Sequence, residues 1–264
     1  MTAEGWAAAL ILGAVEGVTE FLPVSSTGHL IIAAHFLGRT DDADKLFDVV
    51  IQLGAIFAVC YQYRNRLWEM ATDWRGEKTK RTTINLLLAF LPSAVCGLLF
   101  YSWIKAYLFS PLTVAVALIV GGVVIIWAEK KKPAPTIDDM DDLRPRDALI
   151  IGCCQTLSLF PGVSRAGATI IGAMLWGVRR RAATEFSFLL ALPTMFAASG
   201  YDLFRNRELL DWNLAGEIAV GFVSAFVCAL LVIRMLIRYV SQRDFTPFGW
   251  YRILFGAAVF AVFY

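Results

Sequence analysis

Gly13 to Leu30 reads GAVEGVTEFLPVSSTGHL, and Gly152 to Thr169 reads GCCQTLSLFPGVSRAGAT. Placing Gly13 over Gly152 also brings Thr19 over Ser158, Phe21 over Phe160, Val24 over Val163, Ser25 over Ser164 and Gly28 over Gly167. The chain therefore carries an internal repeat. Each copy lies in apolar surroundings, at 6–37 and 148–177, and breaks midway at proline and small hydroxyl residues. Paired, interrupted hydrophobic segments in the two halves of a membrane protein point to a site near the bilayer midplane.

The composition agrees with a membrane setting. Of the residues 58% are hydrophobic and 17% charged, with a mean hydropathy of +0.62. A hydrocarbon core of about 30 Å needs roughly 20 helical residues to cross it. Runs of that kind lie at 46–63, 84–103, 112–129, 186–203, 214–236 and 249–264. The alternating ten-residue pattern of an outer-membrane barrel is absent. No lysine or arginine precedes Arg39, and the first apolar stretch contains Glu16 and Glu20, so no cleavable signal is expected. Cys60, Cys96, Cys153, Cys154 and Cys228 sit in apolar segments without metal-type spacing and read as packing residues. A net charge of +2 says little about partners, and no nucleic-acid module is visible.

Charge placement sets the expected topology. Arg64, Arg66, Arg75, Lys78, Lys80 and Arg81 form one basic loop, and Lys130, Lys131, Lys132, Arg144 and Arg146 another. Two spans separate them, so both belong on the cytoplasmic face. Arg179, Arg180 and Arg181 join them there only if 148–177 dips into the membrane and returns. By the repeat, 6–37 is re-entrant from the opposite face. The expected fold is an all-α polytopic membrane protein with six transmembrane helices and two inverted re-entrant helix-loop-helix hairpins. It forms one domain, 1–264, with repeat halves at about 1–132 and 146–264. The acidic, proline-containing stretch at about 133–145 reads as a solvated linker. Non-helical backbone at membrane depth must be buried in protein or line a wet cavity, so a cavity between the hairpin tips follows. Trp6, Trp68, Trp103, Trp127 and Trp250 fit an aromatic belt.

The polar residues at the two breaks carry chemistry. Glu16 and Glu20, four apart, project from one helix face. Adjacent carboxylates in an apolar segment repel unless a positive group lies between them. Mg²⁺ or Ca²⁺ suits them, because Mg²⁺ uses one or two carboxylates together with substrate phosphate oxygens. Ser25 or Ser26 is placed to cap a second half-helix, leaving backbone N–H groups as an anion site. The hydroxyls of Ser25, Ser26 and Thr27 add donors, and His29 is within reach of Ser26 on one helical face. The second copy supplies Gly162, which permits a sharp turn, Ser164 as a cap, and Arg165, whose planar fork suits phosphate oxygens. Gln155 and Leu159 stand where the first copy has its glutamates, so the symmetry is chemically broken. An ion pair of Arg165 with Glu16 or Glu20 is the competing arrangement, compatible with the first if substrate displaces it. Asp48 and Gln52, also four apart, can line the cavity or bridge helices.

The run EGVTEFLPVSSTGH (Glu16 to His29) together with PGVSRAGAT (Pro161 to Thr169) resembles the undecaprenyl-diphosphate phosphatase family of bacteria, also called the bacitracin-resistance proteins. The resemblance continues through FDVVIQLGAI (Phe47 to Ile56) and EFSFLLALP (Glu185 to Pro193). It implies a multi-pass enzyme of the bacterial inner membrane that hydrolyses undecaprenyl diphosphate to the monophosphate, recycling the lipid carrier for peptidoglycan synthesis. It further implies dependence on a divalent metal, bacitracin resistance on overexpression, and action by Glu16, Glu20, Ser26, His29 and Arg165. Where the family commonly has serine this chain has Ala166, which removes one hydroxyl from the phosphate side.

On this basis Glu16 and Glu20 are expected to hold the metal. Arg165 and the hairpin amides bind the terminal phosphoryl group, with Ser25, Thr27, Gly162, Ser164 and Thr169 as binding residues. The attacking group is water or Ser26, with His29 as base or acid. The expected partners are a polyprenyl diphosphate and membrane lipid, and a second copy of the chain, in a homodimer, is a further candidate. The topology favours an outward-opening site. A lipid-carrier flippase or transporter is the main alternative, since inverted repeats are typical of transporters. The type-2 phosphatidic-acid phosphatases need a histidine downstream of Ser-Arg, and none follows Ser164-Arg165.

Overall fold

A computed structural model describes residues 3–39, 42–73, 75–108, 110–209 and 215–264. The described residues form eleven α-helices: α1 (Ala3–Thr19), α2 (Ser26–Leu37), α3 (Asp42–Gln62), α4 (Arg64–Thr72), α5 (Glu77–Tyr107), α6 (Pro111–Lys131), α7 (Pro145–Gln155), α8 (Arg165–Leu175), α9 (Arg180–Arg205), α10 (Ala215–Val240) and α11 (Thr246–Phe263). Among the described residues there is no strand, only an isolated bridge between Ile137 and Val178. Among the described residues five helices (α5, α6, α9, α10 and α11) are long and apolar enough to cross a membrane. The pair α3–α4 makes a sixth if its two members, bent by 73°, count as one span. The bend falls where an apolar helix meets the basic run beginning at Arg64, which ends the apolar stretch.

The outer surface is what such a chain needs. Leu98, Leu99, Val120, Leu231, Met235 and Leu254 are exposed, as are all five tryptophans expected in a belt. In water this apolar exterior would be an aggregation surface, whereas against lipid it is the solvated face.

Helix α1 packs on α10, and α7 packs on α5. Gly13 of α1 and its repeat partner Gly152 of α7 make these two contacts possible. A Cβ on Gly13 would lie 2.2 Å from the Gly221 carbonyl oxygen, and one on Gly152 would lie 2.4 Å from that of Ala89. Without a side chain the backbones meet directly, the small-residue mode of helix packing in membranes.

The 133–145 stretch differs from the expected solvated linker. Its prolines and Asp138 are exposed, but Leu143 and Met140 are buried. Asp141 accepts hydrogen bonds from Arg66 and from Thr82 (2.9 Å), and Asn85 donates to the Leu143 carbonyl at 2.8 Å. Thr136 N–H donates to Gly177 O (2.8 Å) and Arg179 N–H to Ile137 O (2.8 Å). Two apolar side chains and one acidic residue facing a basic helix end are enough to strap it down.

Candidate functional site

Helix α1 ends at Thr19, although the Glu20 N–H still reaches Glu16 O at 2.9 Å. The chain then turns through Phe21–Val24 and restarts at Ser26. In the second copy α7 runs through a 3₁₀ turn, Thr156–Leu159, and restarts at Arg165. The residues before each restart, Ser25 (φ 70°) and Ser164 (φ 75°), are repeat equivalents. Among the described residues they are the two non-glycine positions with positive φ. Such backbone costs on the order of 1 kcal/mol or more and concentrates at functional sites. The Ser164 hydroxyl accepts from Gly167 N–H (3.0 Å), the expected cap, and donates to Leu22 O of the first turn at 3.4 Å. Ser25 occupies the cap position of α2, but its hydroxyl makes no capping bond.

The two turns meet through Glu20. Its carboxylate is buried, accepts from the Ser26 hydroxyl at 2.6 Å, and accepts from Arg165 Nη2 at 3.1 Å. Arg165 is thus the partner of Glu20, one of the two glutamates considered from sequence. Its other arm donates to Ser187 O of α9 at 3.0 Å, and its guanidinium carbon lies 5.5 Å from the Phe21 ring centroid. Thr169 stands behind this arrangement: it is fully buried and shares a 2.6 Å hydrogen bond with the Ser187 hydroxyl. Thr27 is half-buried on α2, and Gly162, with φ 94°, lies against the Val114 backbone of α6. Of the pair Asp48 and Gln52, Gln52 accepts from Ser199 at 3.1 Å and bridges α3 to α9.

His29 does not bond Ser26. As the first residue of α2, Ser26 turns its side chain back over the preceding turn, toward Glu20. The His29 ring instead has Nδ1 2.8 Å from Ser25 O and Nε2 2.7 Å from the Tyr251 hydroxyl. A carbonyl only accepts, so Nδ1 carries a proton, and in the neutral ring Nε2 accepts from Tyr251. The ring also stacks on Phe255, with centroids 4.0 Å apart.

Glu16 is different again. It is buried, and neither carboxylate oxygen has a hydrogen-bond partner. Among the described residues no three His, Cys, Asp or Glu side chains gather as a metal cage. A bare carboxylate one turn from Glu20 fits a hard cation that completes its shell with phosphate oxygens and water, as Mg²⁺ does, rather than one held wholly by protein.

Helix α11 supplies what the sequence analysis did not single out: Tyr251 and Arg252. Arg252 is buried and makes five hydrogen bonds, all to backbone carbonyls. Nη1 donates to Pro23 O (3.1 Å) and Val163 O (2.9 Å), Nη2 to Gly162 O (2.8 Å) and Ala117 O (3.0 Å), and Nε to Leu118 O (3.3 Å). The turn carbonyls have no helical partner, and leaving one bare in an apolar medium costs roughly 2–7 kcal/mol. An arginine inside an apolar run was itself the available signal.

A sequence model of the family described as bacitracin resistance protein BacA matches residues 9–258. The chain belongs to that family. Its relatives agree along nearly the whole length. A protein of Nitrosomonas eutropha named undecaprenyl-diphosphatase is 53% identical over 251 residues, covering 95% of this chain and 92% of the relative. One of Rhodospirillum rubrum named undecaprenyl-diphosphatase 2 is 54% identical over 255 residues, covering 96% and 93%. One of Nitrosomonas europaea, named undecaprenyl-diphosphatase, is 52% identical over 256 residues, covering 97% and 94%. The family model spans both turns and the part of α11 that carries Tyr251 and Arg252.

Proposed function

We propose that this chain hydrolyses undecaprenyl diphosphate to undecaprenyl phosphate and inorganic phosphate in the bacterial inner membrane, recycling the lipid carrier. The observation that carries the reading is the Ser26–Glu20–Arg165 chain joining the two turns, in a family whose relatives bear that activity in their names. The diphosphate enters between two re-entrant hairpins that open outward, within six spans, and its isoprenoid tail stays in lipid.

Ser26 Oγ is the nucleophile in this mechanism. Glu20 accepts its proton as Oγ bonds to the terminal phosphorus, and the bond from phosphorus to the bridging oxygen breaks. The bridging oxygen leaves with the lipid monophosphate. Water then attacks the phosphoserine, the Ser26–phosphorus bond breaks as Glu20 returns its proton to Ser26 Oγ, and free phosphate departs with the protons of the water. A hydroxyl and a carboxylate at 2.6 Å form a nucleophile–base pair. Arg165 moves from Glu20 to the phosphoryl oxygens as charge spreads over them, so the observed ion pair is the resting form. Phosphoryl transfer asks mainly for such positioning and charge neutralisation. His29, its Nδ1 fixed on Ser25 O, presents Nε2 and the Tyr251 hydroxyl as the proton donor or acceptor for the outgoing oxygen or incoming water. Glu16 would hold Mg²⁺ or Ca²⁺, with Glu20 contributing through Oε1, the oxygen Arg165 vacates, while Oε2 serves Ser26, and the ion would neutralise phosphate charge.

The test is single-turnover reaction with substrate labelled at the terminal phosphorus. Label on the protein that disappears in Ser26→Ala supports the route. An active Ser26→Ala variant would remove Ser26 as nucleophile and leave water in its place.

A further inference from the structure

Arg252 reaches from α11 between the two turns and grips the same carbonyl in each copy of the repeat. Pro23 and Gly162 are repeat equivalents, and Nη1 takes the first while Nη2 takes the second. Nη1 also holds Val163 O, next to Ser164, and the remaining bonds to Ala117 O and Leu118 O moor the guanidinium to α6. None of these five bonds goes to a carboxylate, so the fork serves the backbone rather than an ion pair. The room it occupies is kept by Gly121, where an added Cβ would lie 2.2 Å from Arg252 Nη2.

We propose that Arg252 is a positioning residue: by holding Pro23 O and Gly162 O from one planar group it sets the register in which Glu20 and Ser26 of the first turn meet Arg165 of the second. The proposal rests on the hydrolase reading above. The geometry demands a fork. Pro23 lies three residues before Ser26, and Val163 two before Arg165, so movement of either carbonyl shifts the reacting groups with it. A lysine ammonium is a single compact centre on a flexible stem and cannot span both turns while also bonding α6. Arg252 itself has no hydrogen bond to Glu20, Ser26 or Arg165 and acts only through the backbone.

The experiment compares wild type, Arg252→Lys and Gly121→Ala in detergent, with phosphate release from undecaprenyl diphosphate as the activity and the folded fraction measured by size exclusion and thermal unfolding. A displacement of about 1 Å is enough to cost on the order of 100-fold in rate. Both variants are expected to lose about that factor in kcat per folded molecule, with KM changed less than about threefold, since binding groups remain and only transition-state alignment is lost. Gly121→Ala leaves Arg252 in place and moves its guanidinium, so it reports on position without deleting charge. Wild-type kcat per folded molecule in either variant overturns the proposal, including the case in which activity falls only as far as the folded fraction does. Wild-type protein that releases no phosphate overturns the hydrolase reading, and the positioning role with it.

Discussion

Replacing Arg165 by lysine separates two things the arginine does. In the resting structure its Nη2 meets Glu20 at 3.1 Å and its Nη1 meets Ser187 O at 3.0 Å, with both side chains of the ion pair less than a tenth exposed. Arg165→Met would strip the partner from a buried carboxylate, at a cost of about 3–5 kcal/mol. That is enough to endanger the fold. Arg165→Lys keeps a positive charge beside Glu20 and gives up the two-armed geometry, for a loss of about 1.5–3 kcal/mol, the scale of one hydrogen bond to a charged group. Catalysis should feel it far more. Loss of one preorganised donor to a developing phosphoryl charge costs roughly 10²–10³ in kcat. The assay is steady-state phosphate release at saturating lipid, beside thermal unfolding of the same preparations. The expected result is a small fall in melting temperature for lysine, a large one for methionine, and little turnover in either. Arg165→Lys with wild-type kcat would refute the reasoning, because a point charge would then suffice.

Glu16→Gln removes a buried carboxylate whose oxygens are unbonded. It should raise stability by on the order of 1 kcal/mol while abolishing stimulation of phosphate release by added Mg²⁺. Unchanged cation dependence would take Glu16 out of the metal assignment. Tyr251→Phe deletes the hydroxyl 2.7 Å from His29 Nε2. Its effect on kcat should be about tenfold, smaller than the roughly 10²–10⁴ expected for loss of an acid–base group itself. Kinetics of Tyr251→Phe beside His29→Gln check that ranking. Gly13→Val and Gly152→Val each drive a side chain into the backbone of a neighbouring helix. Losses of about 1–3 kcal/mol, read by thermal unfolding, are expected for both, and an unshifted transition would contradict the close contacts of α1 with α10 and α7 with α5.

Much of this molecule is legible in its sequence because the membrane leaves few choices. The apolar runs that mark α5, α6, α9, α10 and α11 stand out since a span needs some 20 apolar residues, and the repeat fixed which breaks to compare. Pairing of Arg165 with a glutamate was likewise within reach. Other features depend on geometry that spacing does not encode. Helical spacing suggests His29 for Ser26, whereas Ser26, as the first residue of α2, turns its side chain back over the preceding turn to Glu20. Tyr251 and Arg252 come from a helix more than 200 residues away, at the far end of the chain from Ser25. The strap at 133–145 was hidden for a similar reason. Its acidic composition describes a solvated linker, and only the fold brings Arg66 and Thr82 to Asp141.

The central claim is that the two turns form one catalytic unit, and a double-mutant cycle in phosphate release addresses it most directly. Ser26→Ala, Arg165→Lys and the double variant are compared with wild type at saturating undecaprenyl diphosphate. Residues that act as a unit are strongly non-additive, so the double variant should be scarcely slower than the slower single one. Losses that multiply in full would mean that the two turns work independently, and the joint site would be contradicted.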